Sequence, residues 1–151
     1  MSELKDKLRA DLTTSMKARD KETTGTLRML LSALTQEETT GAKHELNDDE
    51  VLKVIAREIK KRRESAEVYT ENGRQELADV ELKEAAILEN YQPEQLDDDQ
   101  LNALIDEAIA EVGGEADMKK MGQIMKAATA KAAGRVDGKR LSTAVKSRLS
   151  A

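Results

Sequence analysis

Cysteine, phenylalanine and tryptophan are absent from the 151 residues, and proline and histidine occur once each. Each gap excludes something. Without cysteine there is no disulfide and no thiolate chemistry, which suits a reducing compartment. With one histidine and no glycine-rich phosphate loop, most nucleophilic and metal-dependent catalytic designs lack their parts. With two tyrosines as the whole aromatic content, the core must be aliphatic, and stacking on nucleic-acid bases is nearly unavailable. No run approaches the ~18 apolar residues of a membrane helix. MSELKDKLRADL at the start is charged from its third residue and lacks a signal-like apolar stretch. The expectation is a soluble, cytoplasmic protein that does not engage membranes.

What remains is rich in charge, at 36% of residues, together with Ala, Leu, Glu and Lys. Straight-chain residues and alanine lose little on entering a helix, and β-branched residues are sparse, so the fold class is all-α. The spacing predicts seven helices. Leu4, Leu8, Leu12 and Met16 stripe residues 2–18, and Leu27, Leu30, Leu31 and Leu34 stripe 20–39. Asn47 is placed to cap a third helix, with acids in its first turn, running to about Asn72 and ending in a left-handed Gly73. Its face is Leu52, Ile55, Ile59, Ala66 and Tyr69, and a fourth helix over 75–90 shows Leu77, Val80, Leu88 and Tyr91. Pro93 then breaks the chain, and Asp97 with Gln100 makes a capping box. Three more helices follow over 98–112, 117–132 and 138–150. The organisation expected is a helical N-terminal domain, 1–92, built on a long antiparallel hairpin, and a three-helix C-terminal domain, 97–151.

The hairpin carries two polar residues on apolar stripes. Arg62 lies between Ile59 and Ala66, and Glu84 lies on the stripe of the facing helix. Both stand eleven residues from Gly73, so they come level in an antiparallel pair. An Arg62–Glu84 ion pair is predicted, with Arg62–Glu81 as the neighbouring alternative. Its expected role is to set register, because desolvation offsets much of the attraction.

Charge is unevenly distributed. Residues 115–151 hold nine basic and three acidic side chains, a balance of +6, while the other 114 hold 16 and 27, a balance of −11. On helix 117–132 the stripe is Met118, Met121, Ile124, Met125 and Ala128, with Lys119, Gln123 and Lys126 opposite. On helix 138–150 it is Leu141, Ala144, Val145 and Leu149, with Lys139, Thr143 and Lys146 opposite. Asp137 can cap that last helix, whose first amides could add an anion site. Two readings stand open: an ordinary solvated surface, or one that holds phosphates through backbone and shape. His44 reads as an exposed loop histidine, and the acidic triplets 48–50 and 97–99 as helix starts. By its residues the chain is not an enzyme, and no metal or cofactor is expected.

The blocks AREIKKRRESAEVYTENGRQEL, YQPEQL, MGQIM and GRVDG, in this order, resemble the YqeY family. The C-terminal half is similar to the tail domain of the GatB component of the tRNA-dependent amidotransferase. That resemblance implies an all-helical protein associated with tRNA, and a family often labelled as carbon–nitrogen ligases with glutamine as amido-N-donor. The kinase and transamidation machinery of GatB has no counterpart in this sequence. The resemblance also implies tRNA-facing positions at Gly122, Lys126, Gly134, Arg135 and Lys139, to which the outward faces add Lys119 and Lys146. Gln123 stands where the related block usually has lysine, Ser142 where asparagine is common, and Gln92 where leucine is. The expectation is a non-catalytic, tRNA-associated accessory protein. The alternatives are an adaptor docking on a synthetase or amidotransferase, and a carbon–nitrogen ligase.

Overall fold

The computed structural model describes residues 2–150. Among the described residues the secondary structure is all helical: α1 (Glu3–Lys17), α2 (Lys21–Thr39), α3 (Asp48–Glu71), α4 (Gln75–Glu89), α5 (Asp98–Glu111), α6 (Met121–Ala132) and α7 (Gly138–Ser150), with a 3-10 turn at Met118–Lys120. The chain divides between Gln92 and Pro93 into two compact units.

Side chains close the starts of α1, α2, α3 and α5, where four amides otherwise lack partners. Ser2 accepts from the Lys5 amide and Asp20 from the Thr23 amide. Asn47 with Glu50, and Asp97 with Gln100, form full capping boxes. At the turn between α3 and α4, Gly73 takes φ +73° and the Arg74 amide bonds back to the Tyr69 carbonyl at 2.8 Å. A side chain there would strain the left-handed backbone.

The first unit packs around buried aliphatic side chains, Leu8, Leu27, Leu30, Leu34, Leu46, Val51, Val54, Ile55, Ile59, Ala85 and Leu88, with Tyr91 half-buried against them. Two residues expected on core stripes are exposed instead. Met16 is 49% exposed at the end of α1, and Val80 is 52% exposed on α4. The second has a simple cause. Ala78 and Ala85 are buried, and Val80 sits about 200° around the helix from Ala78, so one face cannot hold both.

Inside the α3–α4 hairpin, Arg62 is 7% exposed and bonded on two sides. Its Nε donates to Glu84 Oε2 at 3.1 Å, and its Nη1 donates to the Glu58 carboxylate at 3.3 Å and the Glu58 carbonyl at 3.1 Å. Glu58, one turn before Arg62, is equally buried and also meets Lys61 at 3.4 Å. Glu81 lies beside this group. Burial, then the Glu84 charge, raise its carboxyl above the ordinary range, with Arg62 opposing.

Polar contacts also pin α1. Ser2 Oγ donates to Asp48 at 2.5 Å, so the first residue of α3 also receives the start of α1. Lys5 Nζ meets Glu38 at 2.5 Å, and the other oxygen of Glu38 accepts the Leu46 amide. Tyr91, just beyond α4, donates its hydroxyl to Asp11 at 2.6 Å while Lys7 sits 5.7 Å above its ring.

The second unit buries Leu96, Leu101, Leu104, Ile105, Ala108, Ile109, Ile124, Ala128, Ala132, Leu141, Val145 and Leu149. Leu96 is held by its backbone as well: its amide donates to the Arg135 carbonyl at 2.8 Å, and its carbonyl accepts from Arg140 at 2.6 Å. Met118 is 50% exposed, although it was expected on the stripe. It opens the 3-10 turn, whose three residues per turn rotate it away from the face that α6 follows.

Replacing Arg62 by alanine leaves the buried Glu58 with Lys61 alone and the half-buried Glu84 without its partner, and is expected to cost ~3 kcal/mol in chemical denaturation. A loss below ~1 kcal/mol would place the cluster among ordinary surface bridges.

Candidate nucleic-acid interface

The nine cations of the second unit sort into two groups. Five are engaged within the unit. Arg140 meets Asp98 at 2.7 Å, and Arg148 meets Asp106. Lys131 lies 3.0 Å from Glu111 and 3.9 Å from Glu107, and Lys120 lies 3.5 Å from Glu115. Glu111, by hydrogen bond and by charge, holds Lys131 above the ordinary lysine range. Arg135 is half-buried and closes the end of α6: Nε donates to the Ala132 carbonyl at 2.9 Å and Nη2 to the Lys131 carbonyl at 2.8 Å.

Four are not engaged. Lys119, Lys126, Lys139 and Lys146 are exposed, and none has a side-chain bond or ion pair among the described residues. Lys126 on α6 and Lys139 and Lys146 on α7 lie away from the buried Ile124, Ala128, Leu141 and Val145, and Lys119 is exposed on the 3-10 turn before α6. The acids that neutralise other cations come largely from α5, so they leave the outward lysines of α6 and α7 uncompensated. On α7, Lys139 and Lys146 stand seven residues apart, about 10 Å along the helix axis, while Lys119 sits on the 3-10 turn that leads into the α6 helix of Lys126.

The glycines behave differently from one another. A side chain at Gly122 would meet nothing within 4 Å, so packing does not require glycine there. Gly134 takes φ +81° directly after Ala133 at φ +49°, a left-handed pair that turns the chain from α6 toward α7. The start of α7 is occupied by the protein's own carboxylate: Asp137 Oδ1 accepts the Lys139 amide at 2.9 Å. Those amides therefore offer less to an outside anion than the sequence suggested. A shallow groove of about 780 Å³ between α5 and α7 includes Lys139, but its Arg140 and Arg148 already hold Asp98 and Asp106.

Elsewhere, reactive groups are few. Among the described residues no cluster of three or more His, Asp or Glu is disposed to hold a metal ion. His44 is exposed in the loop after α2, yet both ring nitrogens face acceptors, Nδ1 the Ala42 carbonyl at 3.1 Å and Nε2 the Glu50 carboxylate at 3.0 Å. Only the protonated ring donates to both. The Glu50 bond first, then the Ala42 bond, raise its pKa above the ordinary value. The contact therefore stabilises the fold fully below ~pH 6.5 and is lost as pH rises through the higher folded value. In an NMR titration the His44 midpoint is expected above ~6.5, falling toward it in Glu50→Gln, which keeps the capping box. Equal midpoints in the two proteins would mean the contact does not persist in solution.

The profile of the family described as Yqey-like protein matches residues 5–149. The altered inheritance of mitochondria protein 41 of Kluyveromyces lactis is 33% identical over 85 residues, 56% of this chain and 46% of that protein. The protein of the same name from Clavispora lusitaniae is 31% identical over 84 residues, 56% of this chain and 48% of that one. An uncharacterised protein of Schizosaccharomyces pombe is 32% identical over 87 residues, covering 58% and 70% of the two chains. The match thus spans about half the length of the two mitochondrial relatives. Among the described residues no helix is long and apolar enough to cross a membrane.

Proposed function

We propose, since the chain belongs to the YqeY-like protein family, that it is a tRNA-associated accessory protein without catalysis of its own. The observation that carries this reading is the set of four uncompensated lysines, Lys119 on the 3-10 turn and Lys126, Lys139 and Lys146 on α6 and α7, in a unit whose other five cations are engaged internally. A surface of point charges without aromatic side chains suits the phosphate backbone and supplies no means to read bases. The choice of tRNA as the nucleic acid rests on the resemblance of the blocks MGQIM and GRVDG to the amidotransferase tail. A cytoplasmic setting belongs to the same proposal; the mitochondrial designation is part of the relatives' names. The rival adaptor role predicts a protein partner retained after nuclease treatment. The ligase reading predicts glutaminase or ATPase turnover by the isolated chain.

Fluorescence anisotropy of labelled bulk tRNA, titrated at several salt concentrations, tests the proposal. Three to four phosphate contacts at roughly 0.7–0.9 each give a slope of log affinity on log salt of about −2 to −3.6. The Lys119/Lys126/Lys139/Lys146→Glu variant is expected to lose binding while keeping its helical CD. Absence of binding at low salt, or a variant that binds equally, overturns the tRNA reading.

A further inference from the structure

A second cationic corner lies in the first unit, where α1 turns into α2. Residues 1–92 carry 16 basic and 20 acidic side chains, so this unit is acidic as a whole. At the turn, however, Lys17, Arg19 and Lys21 are exposed with no ion pair among the described residues. The nearby carboxylates are already committed, Asp20 to the start of α2 and Glu22 to Lys83. Arg28, two turns into α2, touches only the sulfur of Met16, at 3.7 Å. That contact brings the guanidinium against Met16, which is 49% exposed, one residue from Met29, which is 45% exposed.

Stability is forgone at two positions in the same corner. Arg19 takes φ +59°, a left-handed backbone that glycine adopts at lower cost. Gly25 lies inside α2, and a side chain there would meet nothing within 4 Å. Alanine at such a site favours the helix by ~0.5–1 kcal/mol, so nothing in the fold accounts for the glycine. A bare helical glycine lets another backbone approach closely. Met29, one turn on from it, and Met16, against Arg28, are exposed and adaptable apolar contacts of the kind that receive amphipathic helices. From Arg28 and Met29 an open groove of about 600 Å³ continues between α2 and α3 past Ala33 and Gln36.

We propose that this corner docks an amphipathic helix of a partner protein, its apolar side on Met16, Gly25 and Met29 and its acidic side on the unpaired cations. Charge selects an acidic partner; the methionines and the bare glycine favour a helix over the bare phosphates that suit the lysines of the second unit. The inference does not rest on the tRNA reading, since it concerns different residues of a different unit.

The test uses the full chain with its methionine methyls carbon-13 labelled. The probes are two synthetic helical peptides with the same leucine face, one flanked by glutamates and the other by lysines. The glutamate peptide is expected to shift the Met16 and Met29 methyls, leave Met118 unmoved, and lose about tenfold in affinity in Arg28→Glu. Gly25→Ala is expected to raise Tm while weakening the peptide several-fold, a pairing that a purely structural glycine would not give. The proposal is overturned if neither peptide binds, or if both bind alike. It also fails if Gly25→Ala lowers Tm or leaves affinity unchanged. Labelled tRNA that loses binding in Arg28→Glu, or methyl shifts that grow with protein concentration alone, would assign the corner to nucleic acid or to a second copy instead.

Discussion

Arg62 and the two carboxylates that hold it, Glu58 and Glu84, set the geometry on which the first unit is built. The α3–α4 interface is lined by small residues such as Ala66, Ala78 and Ala85, and a smooth contact of that kind resists sliding poorly. A buried ion cluster resists it strongly, since a slip of one turn would leave charges without partners. The energetic return is in uniqueness more than in depth. Once the hairpin register is set, the other contacts can meet: Asp48 receives the start of α1, and Tyr91 reaches Asp11.

The second unit solves a related problem with less material. Its core is a dozen aliphatic side chains, and its first buried residue, Leu96, is tied by both backbone groups to the far end of the chain. The acidic helix α5 supplies carboxylates to cations on its two neighbours. Internal neutralisation of that kind steadies the bundle, and it also decides which charges remain to act on anything outside.

Much of this was legible in the sequence because the signals were local. Asn47 with Glu50 and Asp97 with Gln100 are three-residue patterns whose chemistry is complete within one turn. The level positions of Arg62 and Glu84 follow from counting outward from Gly73. What the sequence left hidden depends on rotation and on distant partners. Val80 was misplaced because periodicity weights a valine over an alanine, while the close α3–α4 approach favours Ala78. Glu58 was missed although it stands four residues before Arg62, a spacing that could have revealed it. That Arg135 closes α6, or that Lys131 belongs to Glu111 while Lys126 belongs to none, follows only from how the three helices are set against each other. The corner at Met16 and Arg28 was invisible for the same reason.

The placement of the two tyrosines has an optical consequence. Tyr69 and Tyr91 both lie in the first unit, and with neither tryptophan nor phenylalanine anywhere the second unit absorbs almost nothing in the near ultraviolet. Tyrosine emission therefore follows the first unit alone, with Tyr91 reporting the moment its hydroxyl leaves Asp11, whereas far-ultraviolet ellipticity follows every helix. One unmodified chain thus carries two probes with different fields of view. The gap between their melting curves measures how far the two halves unfold as one.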